Sequence, residues 1–309
     1  MFKSDPMRHL LENNNLILME AAIVEQLRRS GSVTLHQTLQ NAPLIYDEAG
    51  RRELRTIYQG YIDIALEADM PFLMCTPTWR ANQAHIMESG ASRTMNADAV
   101  RFMQELRHAQ RSGNGMIKIG GMIGCKNDCY KPDEGLSTAE SEQFHSWQID
   151  QLARSGVDFL IAETLPNVEE ARGIAKAMEK TGIPYIISFV ISRDGRVLDG
   201  TGLNEAVESI DSETNQKPLG FMVNCAYPTF LCATKQPAKL FKRLIGYQAN
   251  ASSLDHSDLD GTARLETESV SDWGDEMVKL NRSYGVKILG GCCGTGSGHL
   301  RYLVDKIDG

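Results

Sequence analysis

The chain has 309 residues, 42% of them apolar and 23% charged, with a formal net charge of -8. That composition belongs to a folded protein with room for one large barrel or two smaller domains. Its negative balance gives no electrostatic footing for nucleic acid or an anionic membrane. The opening Met1-Phe2-Lys3-Ser4-Asp5-Pro6 lacks the apolar core of a signal peptide and no apolar run reaches spanning length, so a cytoplasmic location is expected.

Leu16 to Met19 reads as a first strand, followed by Glu20-Ala21-Ala22 and a helix-like Ile23 to Arg29. From Arg51 to Glu67, Leu54, Ile57, Tyr58, Tyr61, Ile64 and Ala65 recur at helical spacing, and a strand Phe72 to Cys75 follows. A helix around Ala97 to Gln110 precedes a strand Met116 to Gly121. A helix from Ser137 to Arg154 precedes a strand Val157 to Ala162. Val168 to Lys180 is helical, closed by Gly182-Ile183-Pro184, and Tyr185 to Val190 is a strand. Next come a short helix Asn204 to Ile210, a strand Leu219 to Asn224, a helix near Ala238 to Leu244 and a weak strand Ile245 to Tyr247. The polar stretch Asn250 to Ser271 has no clear period and reads as a long loop, expected to close over substrate. A helix Trp273 to Tyr284 and a strand Val286 to Leu289 complete the series.

Short apolar strands alternating with helices indicate a parallel sheet. Eight such units suit a closed (β/α)8 TIM barrel, a single α/β domain over residues 1–309. An open doubly wound sheet is the runner-up, because the seventh strand is weak. In a barrel the C-terminal strand ends carry the chemistry. Those ends are Thr76 and Thr78, Glu163, Asn224-Cys225, and Cys292-Cys293. Three thiolates around one point make a zinc site with the fourth position open, as in catalytic rather than structural zinc. The seven cysteines are an odd number in a long chain without an export signal, which favours reduced thiols over disulfides.

The run Gly290-Gly291-Cys292-Cys293-Gly294-Thr295, with Val223-Asn224-Cys225 upstream, resembles the zinc-binding signature of the homocysteine S-methyltransferase family. Ala162-Glu163-Thr164-Leu165-Pro166, Ile187-Ser188-Phe189, Asp194 to Gly200 and Tyr247-Gln248-Ala249-Asn250 extend the resemblance over nearly the whole chain. It implies a zinc-dependent enzyme that moves a methyl group from an onium-type or other donor to homocysteine, giving methionine. It also implies Cys225, Cys292 and Cys293 as ligands of Zn2+, and Glu163 as holder of the substrate amino group. Thr76 would line the same pocket, and the backbone at Glu20 and Ala21 would meet the substrate carboxylate.

The chemistry has a direct rationale. A thiol of pKa about 8.5 is only a few per cent ionised at neutral pH. Zinc removes its proton, and a centre already rich in thiolate leaves the sulfur nucleophilic towards a methyl on a cationic sulfur or nitrogen. The chain departs from the family at Glu20-Ala21-Ala22, where Asp-Gly-Gly or Asp-Gly-Ala is usual. The alternative is therefore a divergent zinc- or thiol-binding barrel that acts on a different thiol or is not catalytic.

Other residues carry weaker signals. Cys125 and Cys129 flank Lys126-Asn127-Asp128 and read as surface or rim thiols, with a second metal pair as the alternative; Cys75 and Cys232 read as packing residues. Gly294 to Gly298 has the composition of a phosphate cradle but not the lysine of a P-loop. Trp79 and Tyr247 are candidates for an aromatic surface facing a methyl cation. His299 is expected to begin or support the last helix.

Overall fold

The computed structural model describes residues 5–255 and 267–307. Half of the polar loop expected to close over substrate, 256–266, lies outside the described residues. Eight strands follow in order: β1 (Ile17–Met19), β2 (Phe72–Cys75), β3 (Ile117–Gly124), β4 (Phe159–Leu165), β5 (Tyr185–Phe189), β6 (Gly220–Ala226), β7 (Leu244–Ala249) and β8 (Ile288–Gly291). All pairings are parallel, and Leu18 of β1 lies opposite both Phe72 of β2 and Leu289 of β8. The sheet therefore closes on itself as a (β/α)8 barrel, and the open-sheet alternative is excluded.

The strands are buried on both faces because each divides two cores. Ile17, Met19, Leu73, Phe159, Ile161, Ile186, Met222 and Ile288 fill the barrel interior. Alternate residues such as Leu18, Phe72, Ile119, Leu160, Ile187 and Val223 pack outward on the helices. Those helices include α2 (Val24–Ser30), α3 (Glu48–Glu67), α5 (Met95–His108), α6 (Thr138–Arg154), α7 (Val168–Glu179), α8 (Leu203–Glu213), α9 (Val270–Tyr284) and α10 (Ser297–Ile307). Their ends obey local rules. Ser137 and Glu140 form a reciprocal capping box on α6. Gly285, in the left-handed region at φ 73°, stops α9 and turns the chain into β8. Among the described residues no helix is long and apolar enough to cross a membrane.

Two short helices escape the sequence reading. One is α4 (Gln83–Ser89). The other is α1 (Pro6–Asn13), capped by Asp5, whose Met7 is buried in the interior cluster beside β1. The helix expected near Ala238 to Leu244 does not form. The segment makes a tight turn at Leu240–Lys242 and Leu244 already belongs to β7. Arg243 holds the Asp211 carboxylate and the Pro218 and Leu219 carbonyls, so the segment is pinned before a costly helical nucleus can propagate. The seventh strand is correspondingly a full six residues. Several strands also run past their expected ends, which makes Glu163 and Cys225 strand residues.

Candidate active site

The strand ends that carry Glu163 and Cys225 are irregular in the same way. Thr164 and Cys225 adopt positive φ (59° and 53°), and the ladder slips between Ala162 and Leu165 and between Asn224 and Ala226. Side chains with a Cβ avoid that region, and bulges re-aim the residues beside them. Asn224 ties the two irregularities together. Its Oδ1 accepts from Thr164 N (2.9 Å) and Ser188 Oγ (2.7 Å), while its Nδ2 faces Cys225 Sγ at 3.5 Å.

On β8 the chain turns sharply after Gly291. Cys292 N donates to Ala249 O (2.8 Å), and Thr295 returns both its N–H and its hydroxyl to Cys292 O (3.1 and 2.6 Å). Cys293 O accepts from Ala251 N (2.9 Å). The turn presents both thiols to β6. The sulfurs of Cys225, Cys292 and Cys293 lie within 4.8 Å of one another, and among the described residues no other such group of three potential ligands occurs.

The structure sets the sulfurs of Cys225 and Cys292, 67 residues apart in the chain, against each other as a pair able to form a disulfide, where the cysteine count favours reduced thiols. The physical reason is proximity: β6 and β8 flank β7, and the two Cα atoms are 5.5 Å apart. Thiolates rather than disulfide sulfurs bind metals, so a metal requires the reduced pair. Three sulfurs about 2.3 Å from one tetrahedral ion stand about 3.8 Å apart. The reduced side chains need only small shifts to close around one.

Beside the sulfurs lies a cavity of about 280 Å³, lined by Glu20, Ala21, Thr76, Trp79, Glu163 and Gln248 among others. Its carboxyls are the unusual feature. Glu20 and Glu163 are 3% and 8% exposed, and among the described residues neither forms an ion pair. Glu20 Oε2 accepts from Cys75 N (2.6 Å), and Cys75 Sγ reaches Glu163 Oε1 at 3.9 Å. Burial pushes Glu163 up to about 8, opposed by that contact. Burial and then the Glu163 charge hold Glu20 well above the usual carboxylate range. Cys75 thus does more than pack, since it links the two acids. Thr76 Oγ1 accepts from Met122 N (3.0 Å) and pairs with Thr78 Oγ1 (2.7 Å).

At Glu20 the backbone is already engaged, its N–H with Leu73 O and its C=O with Gly291 N (both 3.1 Å). Ala22 N is turned to Thr295 Oγ1 (3.3 Å), and Ala21 lines the cavity beside it.

The remaining candidates sort by position. Trp79 lines the cavity with its indole N–H on Thr164 Oγ1 (2.7 Å). Tyr247 does not, being buried among the outer core with its hydroxyl on Tyr227 O (3.0 Å). Tyr130 takes its place at the rim beside Cys129; it lies in a polar loop whose sequence has no periodic signal. Burial and the Asp128 charge push Cys129 up to about 12, and burial raises Cys125 further, so both are inert thiols. Cys232 sits apart with its sulfur on Arg193 O (3.2 Å).

The phosphate reading of the glycine-rich turn fails because the Glu25 carboxylate is seated on Gly294 N. An anion already occupies that donor. His299 lies in α10, accepts from Gly296 N (3.2 Å) and stands edge-on to Trp273. It supports the sulfur-bearing turn.

Converging thiols beside a carboxyl-lined pocket at a barrel mouth define a thiol-directed barrel enzyme. A family profile described as homocysteine S-methyltransferase matches residues 17–307. The chain belongs to the homocysteine S-methyltransferase family, whose members are transferases that methylate the homocysteine thiol. Homocysteine S-methyltransferase 1 of Arabidopsis thaliana is 30% identical over 168 residues, 52% of this chain and 50% of that protein. The match thus spans about half the length of that plant relative. Homocysteine S-methyltransferase of Escherichia coli (strain K12) is 23% identical over 96% of each chain. The metallated form of the homocysteine methyltransferase MmuM from Escherichia coli shares the fold, with TM-score 0.76 and 19% identity over 97% of this chain and 99% of that one.

Proposed function

We propose that the chain is a zinc-dependent, cytoplasmic S-methyltransferase that moves a methyl group from an onium-type or other donor to the thiolate of homocysteine, giving methionine. The observation that carries this reading is the meeting of Cys225, Cys292 and Cys293 within 4.8 Å at the mouth of a carboxyl-lined cavity. In their reduced form these three hold the zinc. When bound, it supplies a deprotonated yet nucleophilic acceptor sulfur.

The protein's own residues do the positioning. Glu163 holds the amino group, Thr76 lines the same pocket, and the backbone at Ala21, next to Glu20, meets the carboxylate. The S–CH3 bond forms as the donor's bond to that methyl breaks, and the electron pair of the broken bond leaves with the donor. Ala21, Trp79 and Met122 wall the cavity.

The test is twofold. Metal content is measured on protein reduced before loading, with one zinc per chain expected in wild type and none in Cys292→Ala. The loaded protein is then given homocysteine with S-methylmethionine, S-adenosylmethionine, betaine, a methylated folate or a methylated corrinoid. Failure to form methionine with every donor refutes the proposal.

A further inference from the structure

Gln248 of β7 has a side-chain amide with no role in the reading above. Its neighbours Tyr247 and Ala249 pack outward on the helices, so strand alternation turns Gln248 into the barrel. There it lines the cavity with Glu20, Glu163 and Asn224, and it is 4% exposed. Its Nε2 faces Glu20 O at 3.5 Å. A carbonyl only accepts, so the nitrogen must be the end turned to it and Oε1 the end left over. Gly290, opposite Gln248 on β8, keeps that path open, because a Cβ there would stand 2.8 Å from the same Glu20 O.

Among the described residues Oε1 has no hydrogen-bond partner. Leaving a buried acceptor unsatisfied costs stability. Several donors around the cavity are already taken, and Arg28 also lines it. Tyr58 donates to Cys75 O (2.8 Å), Thr78 to Met122 O (2.6 Å) and Trp79 to Thr164 Oγ1 (2.7 Å). Asn224 Nδ2 faces Cys225 Sγ. Around Gln248 the cavity presents two carboxyls and one amide oxygen that can accept from a ligand. A primary ammonium brings three N–H donors and no acceptor.

We propose that Gln248 Oε1 is a third acceptor for the α-ammonium of the thiol substrate, beside Glu20 and Glu163, and so selects α-aminothiols over equally long thiols without the amine. The proposal rests on the homocysteine methyltransferase reading. It excludes a quaternary ammonium from this subsite, since such a group carries no N–H.

Calorimetric titration of reduced, zinc-loaded protein with L-homocysteine and with 4-mercaptobutanoate, the same acid without its amine, tests it. Wild type is expected to bind L-homocysteine at least about tenfold more tightly. Gln248→Met keeps the length and loses the oxygen. It should weaken L-homocysteine about tenfold and shift 4-mercaptobutanoate less than about twofold. Gln248→Asn draws the amide back by one methylene and should fall between. Melting temperatures separate a folding defect from a lost contact, and the wild-type ratio stands whatever the variants do. Equal weakening of both thiols by Gln248→Met, no weakening of either, or a wild type without preference overturns the proposal. A wild type that binds neither thiol overturns the methyltransferase reading, and the proposal with it.

Discussion

Cys225 stands on β6 and Cys292 in the turn just after β8, one strand away, with Cα atoms 5.5 Å apart. Glu20 and Glu163 stand at the ends of β1 and β4, line the same cavity, and meet through Cys75. The sulfur wall is assembled by irregular backbone: a residue at positive φ on β6 and a glycine-flanked turn after β8. The carboxyl floor includes a backbone irregularity too, at Thr164, but its character comes from burial. The wall thus takes its chemistry from an ion brought from outside. The floor takes its chemistry from burial, and a buried acid is stabilised by a cation brought beside it.

If that division is right, substitutions on the two sides separate cleanly. The largest effect belongs to the wall. Cys292→Ala or Cys225→Ala should abolish metal binding and lower methyl transfer more than about 100-fold, since even outer partners of metal ligands cost up to that much. Elemental analysis and a homocysteine assay check it; a variant that keeps its metal would break the comparison. Next comes the floor. Glu163→Gln retains shape and removes charge, so KM for homocysteine should rise about 10- to 100-fold, as for a lost hydrogen bond to a charged group. Metal content should stay at the wild-type level. Asn224→Ala sharpens the comparison, because this side chain touches both sides through Thr164 N and Cys225 Sγ. It should weaken metal about tenfold and raise KM for homocysteine in the same variant, whereas loss of only one would show that the sides are uncoupled.

The wall was more legible in the sequence than the floor, for physical reasons. Two adjacent cysteines in a glycine-rich turn after an apolar run announce a site whose ligand types are few. The barrel rule then supplies Cys225. Glu163 likewise stands out as a lone carboxyl in an apolar strand. Glu20 gave away less, because only the folded barrel shows that its side chain, and not its backbone alone, meets Glu163 and Cys75. Gln248 lay hidden in a strand too short and mixed to show alternation, next to a helix at 238–244 that the Arg243 anchors prevent. Tyr247 and Tyr130 exchange roles for a related reason. The facing of a strand aromatic depends on register, and a loop aromatic has no period at all.

The smallest effect is a slope in stability, and it belongs to the floor alone. Glu163 titrates near 4.5 in the unfolded chain and is pushed up to about 8 by burial in the fold. Between those values the folded protein keeps a proton that the unfolded chain has lost. Stability therefore falls as pH rises, with the contribution intact below about 4.5 and lost on passing through about 8. Melting temperatures of substrate-free wild type should decline from about pH 5 to 8 relative to Glu163→Gln, whose amide does not titrate. Glu20 is raised by the same burial and by the Glu163 charge, so the variant should retain part of the slope rather than none. Saturating homocysteine should flatten the wild-type curve, because an ammonium against the carboxylates favours their charged form. Matching slopes in wild type and Glu163→Gln, or a wild-type melting temperature that rises across this window relative to the variant, would mean that Glu163 is ionised before any ligand arrives. The floor would then need a cation already in place, and the contrast with the metal-dependent wall would disappear.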